Sequence, residues 1–248
     1  FVRCARRRAV SFAIPNDAAI MKRYGIEVVP HVICGGQSRY DIEDTLIDLD
    51  FLGIHNVLAL RGDAMHGDSR FRPHPEGLAH ADALVKQIVD MNAGRFIDGE
   101  PNTRHNSHFC IGVAAYPEKH VESPNMLTDM GYLKQKIDAG AEYIATQICY
   151  DAERIIRFRD ECDKAGIHVP ILPGLKPFAT KTQLTVLPQT FVVDLPQELV
   201  EKVIACQDNA DVKKVGIEWA IRQGEALLKA GFPILHFYTM TRTEQVQA

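Results

Sequence analysis

Residues 139–151, AGAEYIATQICYD, contain a helix-to-strand junction that recurs along the chain. The helical pattern ends at Gly140, and an apolar run rich in strand-forming residues follows at 142–151. Glycine suits this junction because the residue after a helix often adopts a left-handed backbone, which costs glycine nothing. Glycines stand at three similar junctions: Gly53, Gly166 and Gly231. The pattern predicts repeated βα units.

Six apolar runs without strict alternation indicate strands that are buried on both faces, as in a parallel sheet. The runs cover 27–34, 55–63, 109–118, 142–151, 167–176 and 232–240. Helical patterns lie between them, at 38–52 with Ser38 as N-cap, at 76–92, at 128–139 with Thr128 as N-cap, at 151–165 with Asp151 as N-cap, and over much of 196–230.

Repeated parallel βα units form either an open doubly wound sheet or a closed barrel. No strand ends in the Gly-x-Gly-x-x-Gly turn of a dinucleotide-binding open sheet. Polar residues instead follow the strands, at the ends that form the catalytic face of a TIM barrel: Arg61, Asp63, Tyr116, Glu118, Gln147, Asp151, Lys176, Thr239 and Arg242. We therefore expect an α/β fold, a (β/α)8 TIM barrel in one domain over residues 1–248.

Only six strands are visible in the sequence, whereas a closed barrel of this type needs eight. We therefore expect the first one or two strands to be missing, and residues 1–21 to form an atypical N-terminal segment. Within it, residues 3–8, RCARRR, fit either a solvated basic segment or an organelle transit peptide.

The composition excludes several classes of protein. The 248 residues are 46% hydrophobic and 24% charged, which argues against a disordered, fibrous or membrane-spanning chain. The net charge of −4 argues against a dedicated nucleic-acid binder. The six cysteines form no C-x-x-C pair. We expect them to be buried, reduced thiols of a cytoplasmic protein, with a catalytic thiol as the alternative.

Two strand ends carry the densest chemistry. Arg61-Gly62-Asp63 combines a cation that can grip a phosphate or carboxylate, a glycine that admits a ligand to the backbone, and an anion. A surface ion pair is the alternative interpretation. The run 114–120, AAYPEKH, leaves room for a flat ligand, and Tyr116 offers a stacking face. An ordinary core tyrosine at a strand exit is the alternative there.

Three further positions carry weaker signals. The helix start with Asp129, Lys134 and Lys136 suits a pyrophosphate, although a charged helix surface has the same pattern. Gln147 is an amide within a strand and could recognise the edge of a heterocycle. His31 also lies in a strand, where a hydrogen-bonded core histidine is the commoner role.

Six motifs, in order along the chain, resemble the methylenetetrahydrofolate reductase family. They are ALRGD (59–63), VAAYPEKH (113–120), LKQKIDAGA (133–141), ATQICYD (145–151), PILPGLKP (170–177) and HFYTMTR (236–242). The resemblance spans residues 22–244 and implies a (β/α)8 barrel with FAD as cofactor. The implied reaction reduces 5,10-methylenetetrahydrofolate to 5-methyltetrahydrofolate with NAD(P)H, in one-carbon metabolism and methionine biosynthesis.

The resemblance also implies roles for individual residues. Asp63 would be the catalytic residue beside the flavin and the folate, Gln147 would contact the substrate ring, and Arg242 would contact the folate end. The implied FAD contacts are His31, Arg61, Gly62, Asp63, Ala81, Tyr116, His120, Asp129 and Lys136. We expect NAD(P)H and methylenetetrahydrofolate as partners of a homo-oligomer, with no metal, nucleic acid or membrane.

One feature of the family has no counterpart in this sequence. The first strand of the family carries a Phe-Glu-Phe-Phe-Pro-Pro-type motif whose glutamate donates a proton, and residues 1–21 lack it. We therefore expect impaired activity, since loss of a general acid costs about 10²–10⁴-fold in rate. Two alternatives stay open: a pterin-binding methyltransferase barrel that binds no flavin, and a non-catalytic flavin-binding or oligomerisation module.

Overall fold

The computed structural model of the chain describes residues 9–12, 23–64, 70–99, 106–239 and 246. The strands in these ranges are β1 (Ala9–Phe12), β2 (Glu27–Ile33), β3 (Asn56–Leu60), β4 (Cys110–Ala115), β5 (Tyr143–Ile148), β6 (Ile171–Leu175) and β7 (His236–Phe237). The helices are α1 (Arg39–Phe51), α2 (Ala81–Asn92), α3 (Met126–Asp138), α4 (Ala152–Lys164), α5 (Gln183–Phe191), α6 (Gln197–Ala205) and α7 (Asn209–Lys229).

The strands follow one another in the sheet in chain order. The pairs β1–β2, β2–β3, β3–β4 and β6–β7 are parallel, and Ala59 of β3 lies opposite Val32 of β2 and Val113 of β4. At least one helix connects each strand from β2 onward to the next. The predicted parallel α/β architecture is therefore confirmed, and closure into an eight-stranded barrel stays a prediction.

The chain divides into two compact units. The first unit contains residues 1–114 and 132–144, and the second contains 115–131 and 145–248. Fully buried side chains of β3, β4, α1 and α2 form much of the first core: Ile42, Leu46, Leu49, Val57, Leu84, Ile88 and Val113. The second core contains Ile148, Tyr150, Phe178, Leu187, Val193, Leu199, Val203, Val212 and Trp219.

Local sequence signals explain many helix ends. The Ser38 hydroxyl accepts the Asp41 N–H at 3.2 Å, and the Asp41 carboxylate accepts the Ser38 N–H at 2.8 Å, which forms a capping box. Asp151 accepts the Glu153 N–H at 2.9 Å. Of the three predicted N-caps, Ser38 and Asp151 are therefore confirmed. The four predicted junction glycines all have positive φ: Gly53 (67°), Gly140 (117°), Gly166 (71°) and Gly231 (92°).

Other expectations about the elements were wrong. Helix α3 begins at Met126, so Thr128 lies inside its first turn, and its N–H donates to the Asn125 side chain at 2.8 Å. Helix α5 and strand β1 were not predicted from the sequence. Strand β1 lies within the segment expected to be atypical, whose other residues, 1–8 and 13–21, are outside the described ranges.

Close packing explains the glycine in β4. A Cβ atom on Gly112 would lie 2.1 Å from the ring of Tyr143. The Tyr143 hydroxyl in turn donates to the carbonyl oxygen of Val57 at 3.0 Å. A side chain at position 112 would therefore displace a tyrosine of β5 that is hydrogen-bonded to the backbone of β3.

The described cysteines are free thiols, and Cys34, Cys110, Cys149 and Cys162 among them are buried. Burial raises the pKa of Cys34 to about 12 and that of Cys162 to about 12, and it also raises the pKa of Cys149. A thiol with so high a pKa is a poor nucleophile at neutral pH. These three positions therefore favour buried structural thiols over the catalytic alternative.

Candidate functional site

In the first unit, two glycines lie side by side where β2 and β3 end. The Cys34 N–H donates to the Leu60 carbonyl oxygen at 3.1 Å, which places Gly35 beside the turn Arg61–Asp63. Gly62 has a φ of +87°, and a Cβ atom there would lie 3.7 Å from the Gly35 nitrogen. The turn favours glycine at position 62 because of this left-handed backbone. With no side chains at these two positions, the two segments of main chain lie close together.

The side chain of Arg61 packs on an aromatic ring. Its guanidinium carbon lies 4.8 Å from the centre of the Phe71 ring, and its Nε donates to the Gly62 carbonyl oxygen at 3.3 Å. Arg61 is half-buried, whereas Asp63 is exposed. A guanidinium oriented by an aromatic face is well suited to binding a phosphate or a carboxylate.

Three other predicted contact residues belong to the same unit. His31 is half-buried in β2, and burial lowers the pKa of its imidazole, which favours the neutral ring. Ala81 is the half-buried first residue of α2. Lys136 of α3 donates from Nζ to the carbonyl oxygen of Ala114, near the end of β4. This bond fixes the position of a cation near the carboxyl end of a strand.

In the second unit, the loop after β4 is organised around the carboxylate of Asp129. Oδ2 of Asp129 accepts the His120 N–H at 3.0 Å, and Oδ1 accepts the Ser123 hydroxyl at 2.7 Å. Lys119 donates from Nζ to the carbonyl oxygens of His120, at 3.0 Å, and Ser123, at 2.6 Å. Segment 116–123 is therefore held by side chains of the loop itself and of the helix that follows it.

Two rings project from this loop. The Tyr116 and His120 rings meet edge to face, with 4.6 Å between their centroids, and both residues are half-buried. The Lys119 N–H donates to the Tyr116 carbonyl oxygen at 3.0 Å, and Lys119 has a φ of +82°. A lysine in this left-handed region is uncommon, so the loop holds a strained backbone next to these two aromatic side chains.

Gln147 is oriented by its own strand. Its Oε1 accepts the Ile148 N–H at 2.9 Å. This hydrogen bond fixes the amide plane and therefore also the direction of the NH2 group. The neighbouring strand packs tightly here, because a Cβ atom on Gly174 would lie 2.5 Å from the Thr146 carbonyl oxygen. The Tyr238 hydroxyl donates to that same oxygen at 2.9 Å. Gln147 is half-buried and is suited to donate to a ligand acceptor.

Glu118 was predicted only to follow a strand, with no role of its own, but its carboxyl group connects distant segments of the second unit. Oε1 accepts the Cys149 thiol at 3.6 Å, and Oε2 accepts the Asp194 N–H at 3.0 Å. Desolvation by burial raises the pKa of Glu118. The sequence signal for a role of Glu118 is its position as an acidic residue directly after Tyr116 and Pro117, where the strand ends.

The structure places the predicted contact residues in both units. The first unit holds His31, Arg61, Gly62, Asp63, Ala81 and Lys136, and the second holds Tyr116, His120, Asp129 and Gln147. Arg242 lies outside the described residues. Within the described ranges, no three His, Cys, Asp or Glu side chains are placed to hold a metal ion. No helix in those ranges combines the length and the hydropathy required to cross a membrane.

Solved structures share the fold of this chain. A Clostridium thermocellum protein, described as binding two copies of 5-methyl-5,6,7,8-tetrahydrofolic acid, matches with a TM-score of 0.58 and 14% identity, over 99% of this chain and 81% of that protein. A 2,3-dimethylmalate lyase matches with a TM-score of 0.51 and 10% identity, over 94% of this chain and 60% of the lyase. At such low identities these matches show the fold alone.

Curated relatives are much closer in sequence. The 5,10-methylenetetrahydrofolate reductase of Escherichia coli is 32% identical over 230 residues, which cover 92% of this chain and 71% of that protein. Methylenetetrahydrofolate reductase 2 of Saccharomyces cerevisiae is 33% identical over 220 residues, covering 87% of this chain. The matched region covers only 34% of the yeast protein. The family model described as Methylenetetrahydrofolate reductase matches residues 5–248. The chain therefore belongs to the methylenetetrahydrofolate reductase family.

Proposed function

We propose that this chain carries the site for the flavin-dependent reduction of 5,10-methylenetetrahydrofolate to 5-methyltetrahydrofolate with NAD(P)H as hydride source. We expect its activity to be impaired, because residues 1–21 lack the glutamate that donates a proton in the family. The observation that carries the proposal is the Arg61-Gly62-Asp63 turn, in a chain of this family. The turn combines a guanidinium packed on an aromatic ring, a left-handed glycine beside Gly35, and an exposed carboxylate.

Charged and small residues of the first unit support FAD as the cofactor. Arg61 and Lys136 would supply the cations that a pyrophosphate requires. The main chain at Gly35 and Gly62 carries no side chain that would keep a flat or anionic group away. Together with His31, Asp63 and Ala81, these residues would form one set of FAD contacts. The chemistry that bound FAD would supply is hydride transfer from the nicotinamide to the folate.

A second set of contacts would come from Tyr116, His120 and Asp129. The edge-to-face pair of Tyr116 and His120 presents polarised ring surfaces at the end of β4. The two hydrogen bonds from the loop to Asp129 leave further lone pairs on that carboxylate for a ribose hydroxyl. The loop bonds therefore support this assignment by fixing the position of the carboxylate.

Asp63, Gln147 and Arg242 would act on the folate. The Asp63 carboxylate would stabilise the positive charge that develops on the substrate as its five-membered ring opens. The Gln147 amide would donate a hydrogen bond to the substrate ring, because its oxygen already accepts the Ile148 N–H. Arg242 would pair with a carboxylate at the folate end.

We also propose a cellular location, an oligomeric state and a barrel closure for the enzyme. We place the whole protein in the cytoplasm as a homo-oligomer with a closed (β/α)8 barrel. The free, buried thiols support a reducing compartment. The parallel sheet with strands in chain order supports the barrel.

The test is to titrate the purified chain with FAD and to measure NADH and NADPH oxidation, first with menadione and then with methylenetetrahydrofolate. We expect flavin absorbance in the protein and about tenfold weaker FAD binding in Arg61→Ala, as for loss of a charged hydrogen bond. Arg95→Ala is the matched control, because Arg95 is exposed, follows α2 and forms an ion pair with Asp90 of that helix.

Three results would contradict the proposal. A chain that takes up no FAD would refute it, and folate binding by that colourless chain would support the methyltransferase alternative. FAD binding with menadione reduction, but without folate reduction, would support the non-catalytic module. Equal FAD affinities of Arg61→Ala and Arg95→Ala would refute the role of the Arg61 turn.

A further inference from the structure

The carboxyl group of Glu118 connects three segments of the second unit. Glu118 itself follows β4, Cys149 follows β5, and Asp194 lies in the segment between α5 and α6. The Cys149 thiol donates to the Glu118 carboxyl at 3.6 Å, and the backbone N–H of Asp194 donates to it at 3.0 Å. One side chain therefore joins residues that are 31 and 76 positions away in sequence.

Both ends of this connection lie next to strained backbone. Lys119, directly after Glu118, has a φ of +82°, and Val192, two residues before Asp194, has a φ of +54°. A β-branched residue in the left-handed region is a genuine outlier, and such conformations persist only where surrounding contacts hold them. The Glu118 carboxyl supplies such a contact near both residues. It belongs to the residue before Lys119, and it accepts the N–H of Asp194, two residues after Val192.

The electrostatic surroundings of the Glu118 carboxyl are also consistent with a structural role for this group. Burial disfavours its ionised form, Asp194 opposes that form electrostatically, and Arg154 favours it. The backbone N–H of Asp194 donates to the carboxyl in either protonation state. The hydrogen bond from Asp194 therefore holds the Glu118 carboxyl in place whether that group is charged or neutral.

We propose that Glu118 is a positioning residue that holds loop 116–123 in the shape that binds FAD. It acts through Tyr116 and His120, which the proposed function places against the cofactor, so this inference rests on that function. The Glu118 carboxyl fixes the start of the loop, and Asp129 fixes its end. Without Glu118, we expect the strained turn at Lys119 to relax and the two rings to lose their arrangement.

The experiment compares three variants of the full chain. Glu118→Ala removes both hydrogen bonds, Glu118→Gln keeps an acceptor oxygen of the same shape, and Val203→Ala removes buried volume from α6 without touching the loop. The measurements are the FAD dissociation constant from flavin fluorescence, the melting temperature, and hydrogen exchange of amides 119–123 in the FAD-free protein. Val203→Ala controls for a general loss of stability, since it creates a cavity in the core of the same unit.

We expect Glu118→Ala to raise the FAD dissociation constant by about tenfold and to speed exchange of amides 119–123, as for loss of a charged hydrogen bond. Glu118→Gln restores most of the affinity. Val203→Ala lowers the melting temperature and leaves the FAD affinity unchanged. These results would support positioning over a purely structural role.

Other results overturn the inference. Unchanged FAD affinity in Glu118→Ala, in a wild-type chain that binds FAD, overturns it and leaves the proposed function intact. An equal loss of affinity in Val203→Ala also overturns it, because the effect would then follow stability alone. A wild-type chain that binds no FAD overturns the proposed function and this inference together.

Discussion

The carboxylate of Asp129 accepts the backbone N–H of His120, with 3.0 Å between Oδ2 and the nitrogen. The same carboxylate accepts the Ser123 hydroxyl through its other oxygen, at 2.7 Å. Asp129 lies in the first turn of α3, where the positive end of the helix dipole favours a negative charge. One residue thus stabilises the start of a helix and the loop before it.

Replacement of Asp129 should therefore cost more stability than replacement of an exposed aspartate. We expect Asp129→Ala to lower the free energy of unfolding by about 1.5–3 kcal/mol, the usual loss for hydrogen bonds to a charged group. Asp160→Ala on α4 is the control, because Asp160 is exposed and its contact with the Arg159 guanidinium is long, at 3.4 Å. Urea denaturation measures both. Equal losses would show that the two loop bonds contribute little.

Position 174 tests the close packing of β6 beside Gln147. A Cβ atom there would lie 2.5 Å from the Thr146 carbonyl oxygen and 3.0 Å from that of Gln147. We expect Gly174→Ala to destabilise the chain by about 1–3 kcal/mol, because backbone atoms must move.

The control for position 174 is Gly131→Ala in α3, where a Cβ atom would have no neighbour within 4 Å. Since glycine weakens a helix interior, we expect that change to stabilise the chain by about 0.5–1 kcal/mol. Thermal or urea denaturation distinguishes the two variants. Destabilisation by both would show that the packing of Gly174 is not special.

The left-handed backbone of Val192 is a second site of stored strain. This conformation costs a residue other than glycine about 1–2 kcal/mol. We expect Val192→Gly to raise the free energy of unfolding by up to about 1 kcal/mol, after the larger entropy loss of glycine on folding. Val186 is equally exposed, at 50%, but lies inside α5. Val186→Gly should destabilise by about 0.5 kcal/mol, and the same sign in both variants would contradict the strain.

The burial of His31 predicts a pH dependence of stability. Burial lowers the pKa of His31 in the folded chain from its ordinary value of 6.5. As the pH falls below 6.5, the unfolded chain takes up this proton first, so the free energy of unfolding decreases until the pH passes the folded pKa. We expect His31→Asn to remove this part of the acid dependence in urea unfolding from neutral to mildly acidic pH.

His168→Asn is the control for the pH experiment, because His168 is exposed beside Asp163 at the end of α4. Each variant is compared by the slope of its unfolding free energy against pH rather than by its absolute stability. A wild-type slope in His31→Asn would show that burial of His31 does not contribute.

Local signals predicted much of the secondary structure. Ser38 and Asp151 cap helices because their side chains reach the N–H groups of the first turn, which requires only neighbouring residues. The junction glycines adopt positive φ for an equally local reason. The apolar runs predicted β2 to β6 at nearly correct positions, because buried parallel strands are apolar on both faces.

The missed features depend on partners that are distant in sequence. Strand β1 is four residues long and follows a basic run, so its pairing with β2 decides its conformation. The start of α3 is an exception, because the Asn125 side chain, three residues before Thr128, accepts the Thr128 N–H at 2.8 Å, which is a local contact. Glu118 acquires its role only when Cys149 and Asp194 come within hydrogen-bonding distance.

The amino-acid sequence by itself determined the parallel βα pattern, the membership of the reductase family and the residue types at the strand ends. These depend on periodicity, caps and short motifs, which are properties of neighbouring residues. The tertiary structure alone decided that Asp129 closes the loop after β4 and that Glu118 connects three segments. The Glu118 contacts join residues far apart in the chain, and only strand order and core packing bring such residues together.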